Sequence, residues 1–184
     1  MKKKSERTVY EGEWLSVSEM LFENKDGVEI VWETVKRKKS SVGVVIVARL
    51  MPSRKFILVK QFRPAIHGYI ISFPAGLAFD DPTHALVELK EETGYTGKIV
   101  AVSPVLKTGS SLINDSGRIV FIEVDEHDPA NKDPKQHLEP SEDISVCLVD
   151  KNKMTEFLLE QDGNGVYISS NLWYVFGLSD WISR

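Results

Sequence analysis

Alternating apolar and polar residues mark the first part of the chain as β structure. Between residues 7 and 40, the stretch EWLSVSEMLFE is followed by NKDG and then by VEIVWETVKRK. Alternation with a period of two is typical of strands with one buried face, and Asn, Asp and Gly favour a tight turn. The pattern predicts a β-hairpin of two long strands, and we assign residues 1–40 to an N-terminal segment.

Further apolar runs predict the strands of a central sheet. SVGVVIVARL, KFILVKQFR and GYIISF are rich in β-branched and aromatic residues, and KIVAVSPVL, GRIVFIEVD and ISVCLVD continue the series. A polar loop, KTGSSLINDS, and a long loop, EHDPANKDPKQHLEPSED, separate the later strands. A loop as long as the second one tends to be functional or disordered.

A helix is predicted from Asp81 to Thr93. Asp80 or Asp81 can cap it, Pro82 suits its first position, and Gly94 suits a left-handed stop.

Two more helices are predicted late in the chain. KNKMTEFLLEQ would turn Met154, Phe157 and Leu158 inward, and SSNLWYVFGLSDWI would be capped by Ser170. Strands mixed with helices in this way predict an α/β domain over residues 41–184, with a mixed sheet covered by helices.

Composition excludes several classes of protein. The 184 residues are 42% apolar and 27% charged, with a net charge of −4, as in globular proteins. A pI near 5.6 gives no basic footprint for nucleic acid, and the basic run at residues 36–39 is too short to change that. Neither a signal-peptide core nor a membrane-length apolar stretch is evident, so we expect a cytoplasmic protein without a membrane span. The single cysteine, Cys147, lies in ISVCLV and is expected to be a buried, inert thiol.

Three carboxylates crowd the first predicted helix. Glu88, Glu91 and Glu92 have a spacing at which like charges repel by about 0.2–0.5 kcal/mol per pair. A solvated acidic face is the ordinary explanation. Here the neighbouring Lys90 points to another side of the helical wheel, and the preceding turn PAG can aim a backbone carbonyl at the acids. Such hard oxygen ligands suit Mg²⁺, with Mn²⁺ as a second choice, and these ions bind phosphate groups and activate water.

The segment PAG followed by ELKEETGY resembles the Nudix box, G-x5-E-x7-R-E-U-x-E-E-x-G-U, in which U is aliphatic. In the same order along the chain, WETVKR, ILVKQFRP, GYIISFPAGL and EPSEDISV resemble segments of ADP-ribose pyrophosphatases and related nucleoside-diphosphate-sugar hydrolases. The resemblance covers about residues 10–180. It implies a Nudix α/β/α sandwich and a Mg²⁺-dependent hydrolase that cuts ADP-ribose into AMP and ribose 5-phosphate, or cuts a similar nucleoside diphosphate sugar.

Carried over position by position, the resemblance assigns roles to single residues. It implies a metal site made by the Ala75 carbonyl and the carboxylates of Glu88, Glu91 and Glu92. Glu91 also counts among the catalytic residues, together with Glu142, which would activate the attacking water, and Glu139 as the alternative to Glu142.

The substrate contacts implied by the resemblance lie in other segments. Arg37 in VKR and Arg63 in QFRP match arginines that bind the diphosphate. Trp14 and Trp32 resemble two tryptophans that sandwich the nucleobase, one of them from the partner subunit of a homodimer built by the N-terminal strands. Packing in the core or at the dimer interface is the alternative role of each tryptophan. Leu112, in KTGSSLINDS, is expected among the sugar-side contacts.

The chain departs from the Nudix box in several places. From Gly76 to Glu88 it advances twelve positions, three fewer than in the motif. Pro82 stands at the place of the first motif glutamate, Val87 replaces the motif arginine, and Ser72 replaces the glutamate that often precedes FPAG. Losses of supporting residues around a metal site typically cost about 10–100-fold in affinity or activity.

Two questions therefore stay open at the level of sequence. His84 lies four residues before Glu88, where it either bonds that carboxylate in place of the missing arginine or is exposed in the first helical turn. The protein is either a hydrolase, with weakened supports for its metal, or a module that binds a nucleotide sugar without turning it over.

Overall fold

The computed structural model describes residues 1–38, 42–78 and 81–178, and it begins with a three-stranded antiparallel sheet. The strands are β1 Lys2–Glu11, β2 Leu15–Glu23 and β3 Glu29–Arg37. The hairpin of β2 and β3 confirms the prediction from sequence. In its turn, the Asn24 side chain accepts hydrogen bonds from the backbone N–H groups of Asp26 and Val28, and Gly27 has φ +77°.

The hairpin prediction missed β1, which pairs along β2 as a third strand. Every residue of β1 is exposed, so the segment lacks the apolar alternation by which a strand is recognised. Ion pairs accompany its backbone hydrogen bonds. Arg7 lies 2.6 Å from Glu19, while Glu6 of β1 is an ion-pair partner of Lys36 in the basic run.

A nine-stranded mixed sheet forms the centre of the protein. Its strands are β4 Val42–Met51, β5 Phe56–Arg63, β6 Gly68–Ser72, β7 Ala75–Leu77, β8 Lys98–Val102, β9 Leu106–Lys107, β10 Ser116–Asp125, β11 Ile144–Val149 and β12 Tyr167–Ile168. The main order is β12-β6-β5-β4-β10-β8, with β11 beside β5, β7 beside β4 and β9 beside β10. Two pairs are parallel, β10 with β4 and β12 with β6, and the remaining named pairs are antiparallel.

Helices cover both faces of this sheet and bury two separate apolar cores. They are α1 His84–Thr93, α2 Met154–Gly163 and α3 Ser170–Leu172, which continues into a π-helical turn at Trp173–Gly177. One core joins α1 to alternate β4 residues such as Ile46. The other joins α2, α3 and the π-helical turn to β5 and β6 through Leu58 and Ile71. The α/β/α sandwich with a mixed sheet is therefore confirmed.

Helix α1 begins three residues later than predicted, because its first turns are of the tighter 3₁₀ type. His84 N–H donates to the Asp81 carbonyl, and Ala85 N–H donates to the Pro82 carbonyl. The Asp81 side chain accepts from the Thr83 N–H at 2.9 Å in the turn before the helix. The residue at the N-cap is Thr83, which makes no side-chain capping bond, so Asp81 is not the cap. Asp80, the alternative cap, lies outside the described residues. The helix ends as predicted.

The predictions for the late helices hold in part. Met154 and Leu158 are buried, and Phe157 packs against the same core. Ser170 is the first residue of α3 and not its cap; Ser169 stands before the helix, without a side-chain capping bond. Cys147 is half-buried, and burial raises the pKa of its thiol. Across the described part of the chain, no helix has the length and hydrophobicity needed to span a bilayer.

Candidate active site

The carboxylate of Glu92 is buried against strand β7. The prediction that PAG forms a tight turn is wrong, because Ala75 and Gly76 belong to β7 and pair with β4 in the sheet. Glu92 Oε2 accepts a hydrogen bond from the Ala75 backbone N–H at 3.2 Å, and Glu92 is only 3% exposed. Burial raises the pKa of Glu92 to about 7; the charges of Glu88 and Glu142 add to the shift, while the Ala75 N–H and Arg63 oppose it. The charged form of a carboxylate that is buried among other carboxylates is stabilised by a nearby cation.

Glu88 approaches strand β7 so closely that Gly76 has no room for a side chain. An ideal Cβ on Gly76 would lie 2.0 Å from Oε1 of Glu88, where real Cβ atoms essentially never come. Burial raises the pKa of Glu88, and the nearby charges of Glu91, Glu142 and Glu139 raise it further. Strand β7 thus contacts two carboxylates of α1. The Ala75 N–H donates to Glu92, and Gly76 leaves the space that Glu88 occupies.

His84 stands beside Glu88 on the same helix. Its Nε2 lies 3.8 Å from Glu88 Oε1, too far for a hydrogen bond, although its charge when protonated lowers the pKa of Glu88. The structure thus places His84 where it can support Glu88 electrostatically, one turn before it. Val87, in the place of the motif arginine, is 45% exposed and carries no polar atom that could support an acid.

The third helical carboxylate, Glu91, is exposed at the edge of this pair. Among the residues that the structure describes, no group of three or more His, Cys, Asp or Glu side chains is arranged to hold a metal ion. Mg²⁺ needs fewer protein ligands than such a group supplies, because it retains several waters and commonly completes its shell with substrate phosphates. The donor set of Glu88, Glu91 and Glu92 is made only of hard oxygens, and burial raises the pKa of both Glu88 and Glu92, so the chemistry of these residues fits the ion.

The loop between residues 137 and 143 brings two more acids to the site. The Glu139 N–H donates to Glu142 Oε2 at 2.9 Å, and the Glu142 N–H donates to the Glu139 carbonyl, so the two residues form one tight turn. Glu142 is close enough to raise the pKa of both Glu88 and Glu92, whereas Glu139 acts only on Glu88 and is more exposed. These charge effects and the lower exposure of Glu142 favour it over Glu139 as the acid of this loop that acts on the helical carboxylates.

The two arginines interact with different acids. Arg63, exposed at the end of β5, opposes the raised pKa of Glu92 by its charge. Arg37 Nε donates to Asp115 Oδ2 at 2.7 Å. A cavity of about 180 Å³ is lined by Arg37 and Asp115 together with strand β7. Arg37 therefore borders the same cavity as the strand that contacts Glu88 and Glu92.

The tryptophans and Leu112 lie on the side of the N-terminal sheet. Trp32 is opposite Met20 in the β2–β3 register, whereas Trp14 precedes Leu15, so about 20 Å of strand separates them. Within one chain they cannot enclose the same base. Trp14 is 62% exposed and Trp32 46% exposed.

The loop that carries Leu112 is docked on β3. The Trp32 Nε1–H donates to the Ser111 carbonyl at 3.2 Å, and the Val35 N–H donates to the Leu112 carbonyl at 2.8 Å. Leu112 is exposed, and it directly follows the residue whose carbonyl accepts the hydrogen bond from Trp32. The loop that contains Leu112, the predicted sugar contact, is therefore hydrogen-bonded to Trp32, a predicted base contact.

Comparison with known proteins decides the family. The chain is 32% identical over 179 residues to "Putative nudix hydrolase 2" of Caenorhabditis elegans, a match that covers 91% of this chain and 80% of the relative. The chain belongs to the Nudix hydrolase family. As such it is a hydrolase, as the sequence predicted.

Other relatives and one solved structure agree with this Nudix assignment. The chain is 31% identical over 170 residues to an ADP-ribose pyrophosphatase of Saccharomyces cerevisiae, covering 86% of this chain and 74% of that protein. It is 33% identical over 160 residues to an ADP-sugar pyrophosphatase of Mus musculus, covering 82% and 73%. A crystal structure of an ADP compounds hydrolase, 19% identical, superposes with a TM-score of 0.71 over 100% of this chain and 95% of that one, which shows the fold. No family model matches the chain.

Two features of this Nudix hydrolase were missed at the level of sequence. The requirement for Gly76 follows from the approach of Glu88, and the only available signal was a glycine in a short strand directly before an acidic helix. Asp115, the partner of Arg37, lies 78 positions away in the sequence, and no local pattern connects the two.

Proposed function

We propose that this protein hydrolyses the pyrophosphate bond of ADP-ribose or of a related nucleoside diphosphate sugar in a Mg²⁺-dependent reaction. The observation that carries the proposal is the convergence of Glu88 and Glu92 on Ala75 and Gly76 of β7, while the charge of Glu142, on a separate loop, acts on both carboxylates. The names of the yeast and mouse relatives, an ADP-ribose and an ADP-sugar pyrophosphatase, support the choice of substrate class.

The residues that would hold the metal are the Ala75 carbonyl, Glu88, Glu91 and Glu92. Mn²⁺ is the second ion that this oxygen donor set suits. When bound, such an ion lowers the pKa of a coordinated water and neutralises charge that develops on the transferring phosphorus. The carboxylates of α1 are in place for this before substrate arrives, because Gly76 and the Ala75 N–H hold two of them.

The remaining steps belong to side chains of the protein. Glu142 takes the proton of the attacking water as the new P–O bond forms and the bridging P–O bond breaks, which leaves AMP and ribose 5-phosphate from ADP-ribose. Arg37 and Arg63 bind the diphosphate, and Trp14 and Trp32 stack on the base.

The N-terminal sheet has its own place in the proposal. Residues 1–40 would form the dimerisation segment and residues 41–184 the hydrolase domain. The separation of Trp14 from Trp32 in the β2–β3 register supports a homodimer in which each base lies between tryptophans of two subunits. A cytoplasmic location stays a prediction, which cell fractionation would check.

The proposal is tested by incubating the protein with ADP-ribose and Mg²⁺ and identifying the products by mass. We expect AMP and ribose 5-phosphate from the wild type. The variant Glu92→Gln should lose far more kcat than substrate affinity, since the metal matters most in the transition state. Glu160→Gln on α2 is the matched control and should retain full activity. Wild-type turnover no greater than that of Glu92→Gln would refute the proposal.

A binding module without turnover is the second candidate, favoured by two observations. The exposed Val87 gives no support to the acids, and Ser72, in the place of a carboxylate, instead accepts a hydrogen bond from Gln61 Nε2 at 2.9 Å. Calorimetry with ADP-ribose in EDTA distinguishes the candidates. Tight binding with the ligand recovered intact after addition of Mg²⁺ supports the module, and rapid cleavage on addition of Mg²⁺ excludes it.

A further inference from the structure

The end of α1 is closed by the loop that carries the proposed catalytic acids. The last carbonyls of a helix lack intrahelical partners and need donors from elsewhere. Here the His137 N–H donates to the Glu91 carbonyl at 2.9 Å, and the Gln136 Nε2 donates to the Glu92 carbonyl at 2.6 Å. Glu91 and Glu92, two of the three helical residues whose side chains are proposed metal ligands, are thus bonded through their carbonyls to consecutive residues of the loop.

The Gln136 amide also bonds to the far end of the same loop. Its Nε2 donates to the Ile144 carbonyl at 3.1 Å, so both partners are acceptors and only the NH₂ end of the side chain can serve them. Ile144 begins β11, and the segment between Gln136 and Ile144 contains both Glu139 and Glu142. One amide group therefore ties the base of this loop together and fastens it to α1.

Gly94 lets the loop approach the helix closely enough for these bonds. A Cβ on Gly94 would lie 2.4 Å from the Lys135 nitrogen and 2.6 Å from the Pro134 carbonyl carbon, and the residue has φ +79°. The contact between the loop and the helix end is therefore direct backbone packing.

Repulsion between the charge of Glu142 and the carboxylates of α1 favours separation of the loop from the helix. Glu142 and Glu88 are like charges in a partly buried site, and Glu92 lies deeper in the same cluster. A neutral amide can hold the loop in place without neutralising the acids that a metal ion needs. A lysine at position 136 would instead compete with the metal for them.

We propose that Gln136 is a positioning residue that places Glu142 against the carboxylates of α1. Its amide bonds to two backbone carbonyls, and it acts through the loop that it closes. The proposal deepens the hydrolase function and rests on it for its kinetic test, whereas its structural test needs no substrate.

The structural test is hydrogen exchange on the metal-free protein. Gln136→Met keeps the length of the side chain and removes the donor. We expect faster exchange of the amides in residues 137–143, including that of His137, which is bonded to Glu91. Gln161→Met on α2 is the matched control and should leave that segment unchanged. Unchanged exchange in Gln136→Met would overturn the proposal whatever the enzyme hydrolyses.

The kinetic test separates positioning from general destabilisation. We expect Gln136→Met to lower kcat for ADP-ribose by about 10–100-fold, with KM little changed. In a Glu142→Gln background the same change should cost only about twofold, since Glu142 is no longer there to be placed. An equal loss in both backgrounds would show that Gln136 does not act through Glu142. A wild type without hydrolase activity would refute the proposed function and leave the exchange result to decide on the positioning role.

Discussion

The carboxylate of Glu88 lies where a side chain on Gly76 would have to begin, with Oε1 2.0 Å from the ideal Cβ position. The backbone of Gly76 pairs with Val44 in the sheet, so β7 cannot easily move away from Glu88. We expect Gly76→Ala to displace Glu88 and to lower kcat by about 10–100-fold, the range for a disturbed metal site. Steady-state hydrolysis of ADP-ribose measures this effect.

The control for this substitution is Gly163→Ala at the end of α2. Nothing lies within 4 Å of a Cβ there, and the residue is helical, so the change should preserve activity and raise stability by up to about 1 kcal/mol. Full activity of Gly76→Ala would show that Glu88 can move away from Gly76 without loss of function.

The stability of the metal-free protein should fall as pH rises, through Glu92. Burial raises the pKa of this group from 4.5 to about 7, so the folded state holds the proton more strongly than the unfolded chain does. The contribution to the free energy of unfolding is complete below about pH 4.5 and is lost as pH rises through about 7.

Thermal unfolding of the wild type and Glu92→Gln at pH 5.5 and pH 8 in EDTA measures this contribution. We expect Tm to drop between the two pH values by more in the wild type, and Mg²⁺ at pH 8 to raise the Tm of the wild type more than that of the variant. Glu160→Gln should follow the wild type. Parallel pH profiles for the wild type and Glu92→Gln would contradict the raised pKa.

The distance between Trp14 and Trp32 predicts complementation between subunits. If each base lies between Trp14 of one subunit and Trp32 of the other, Trp14→Ala and Trp32→Ala homodimers each lack one wall of both sites. A dimer of the two variants has one intact site and one doubly defective site. Unfolding and refolding an equal mixture should therefore recover about a quarter of wild-type activity at low substrate concentration. No recovery in a mixture shown to contain mixed dimers would mean that the tryptophans serve packing.

The contact of Arg37 with Asp115 predicts that lysine cannot replace this arginine. Asp115 uses Nε, which leaves the terminal NH₂ groups for a diphosphate, whereas the single ammonium of lysine cannot serve both partners in that geometry. We expect Arg37→Lys to lower kcat/KM for ADP-ribose by about tenfold or more, as for loss of a charged hydrogen bond. Arg7→Lys on β1, at the exposed pair with Glu19, should have no effect. Equal kinetics for both variants would remove Arg37 from the binding site.

Local sequence patterns predicted many of the strands and the grouping of the acids of α1. Alternation identified β2 and β3, apolar runs identified most of the central strands, and the i, i+3, i+4 spacing of acids placed Glu88 and Glu92 together on α1. Period-2 alternation and helical spacing are patterns within a short stretch of sequence, so they can be recognised without the tertiary structure. The strand β1 escaped because its residues are all exposed and its pairing depends on β2.

By itself, the amino-acid sequence determined that this chain is a mixed α/β protein with an acidic helix after a PAG segment. Only the tertiary structure decided which atoms those acids meet, that Gly76 must be a glycine, and that Gln136 closes the loop of Glu142 onto the end of α1. Gln136 and Glu92 are 44 positions apart, and Arg37 and Asp115 are 78 apart. Contacts over such separations arise from the packing of sheet, helix and loop, and no periodicity within a segment encodes them.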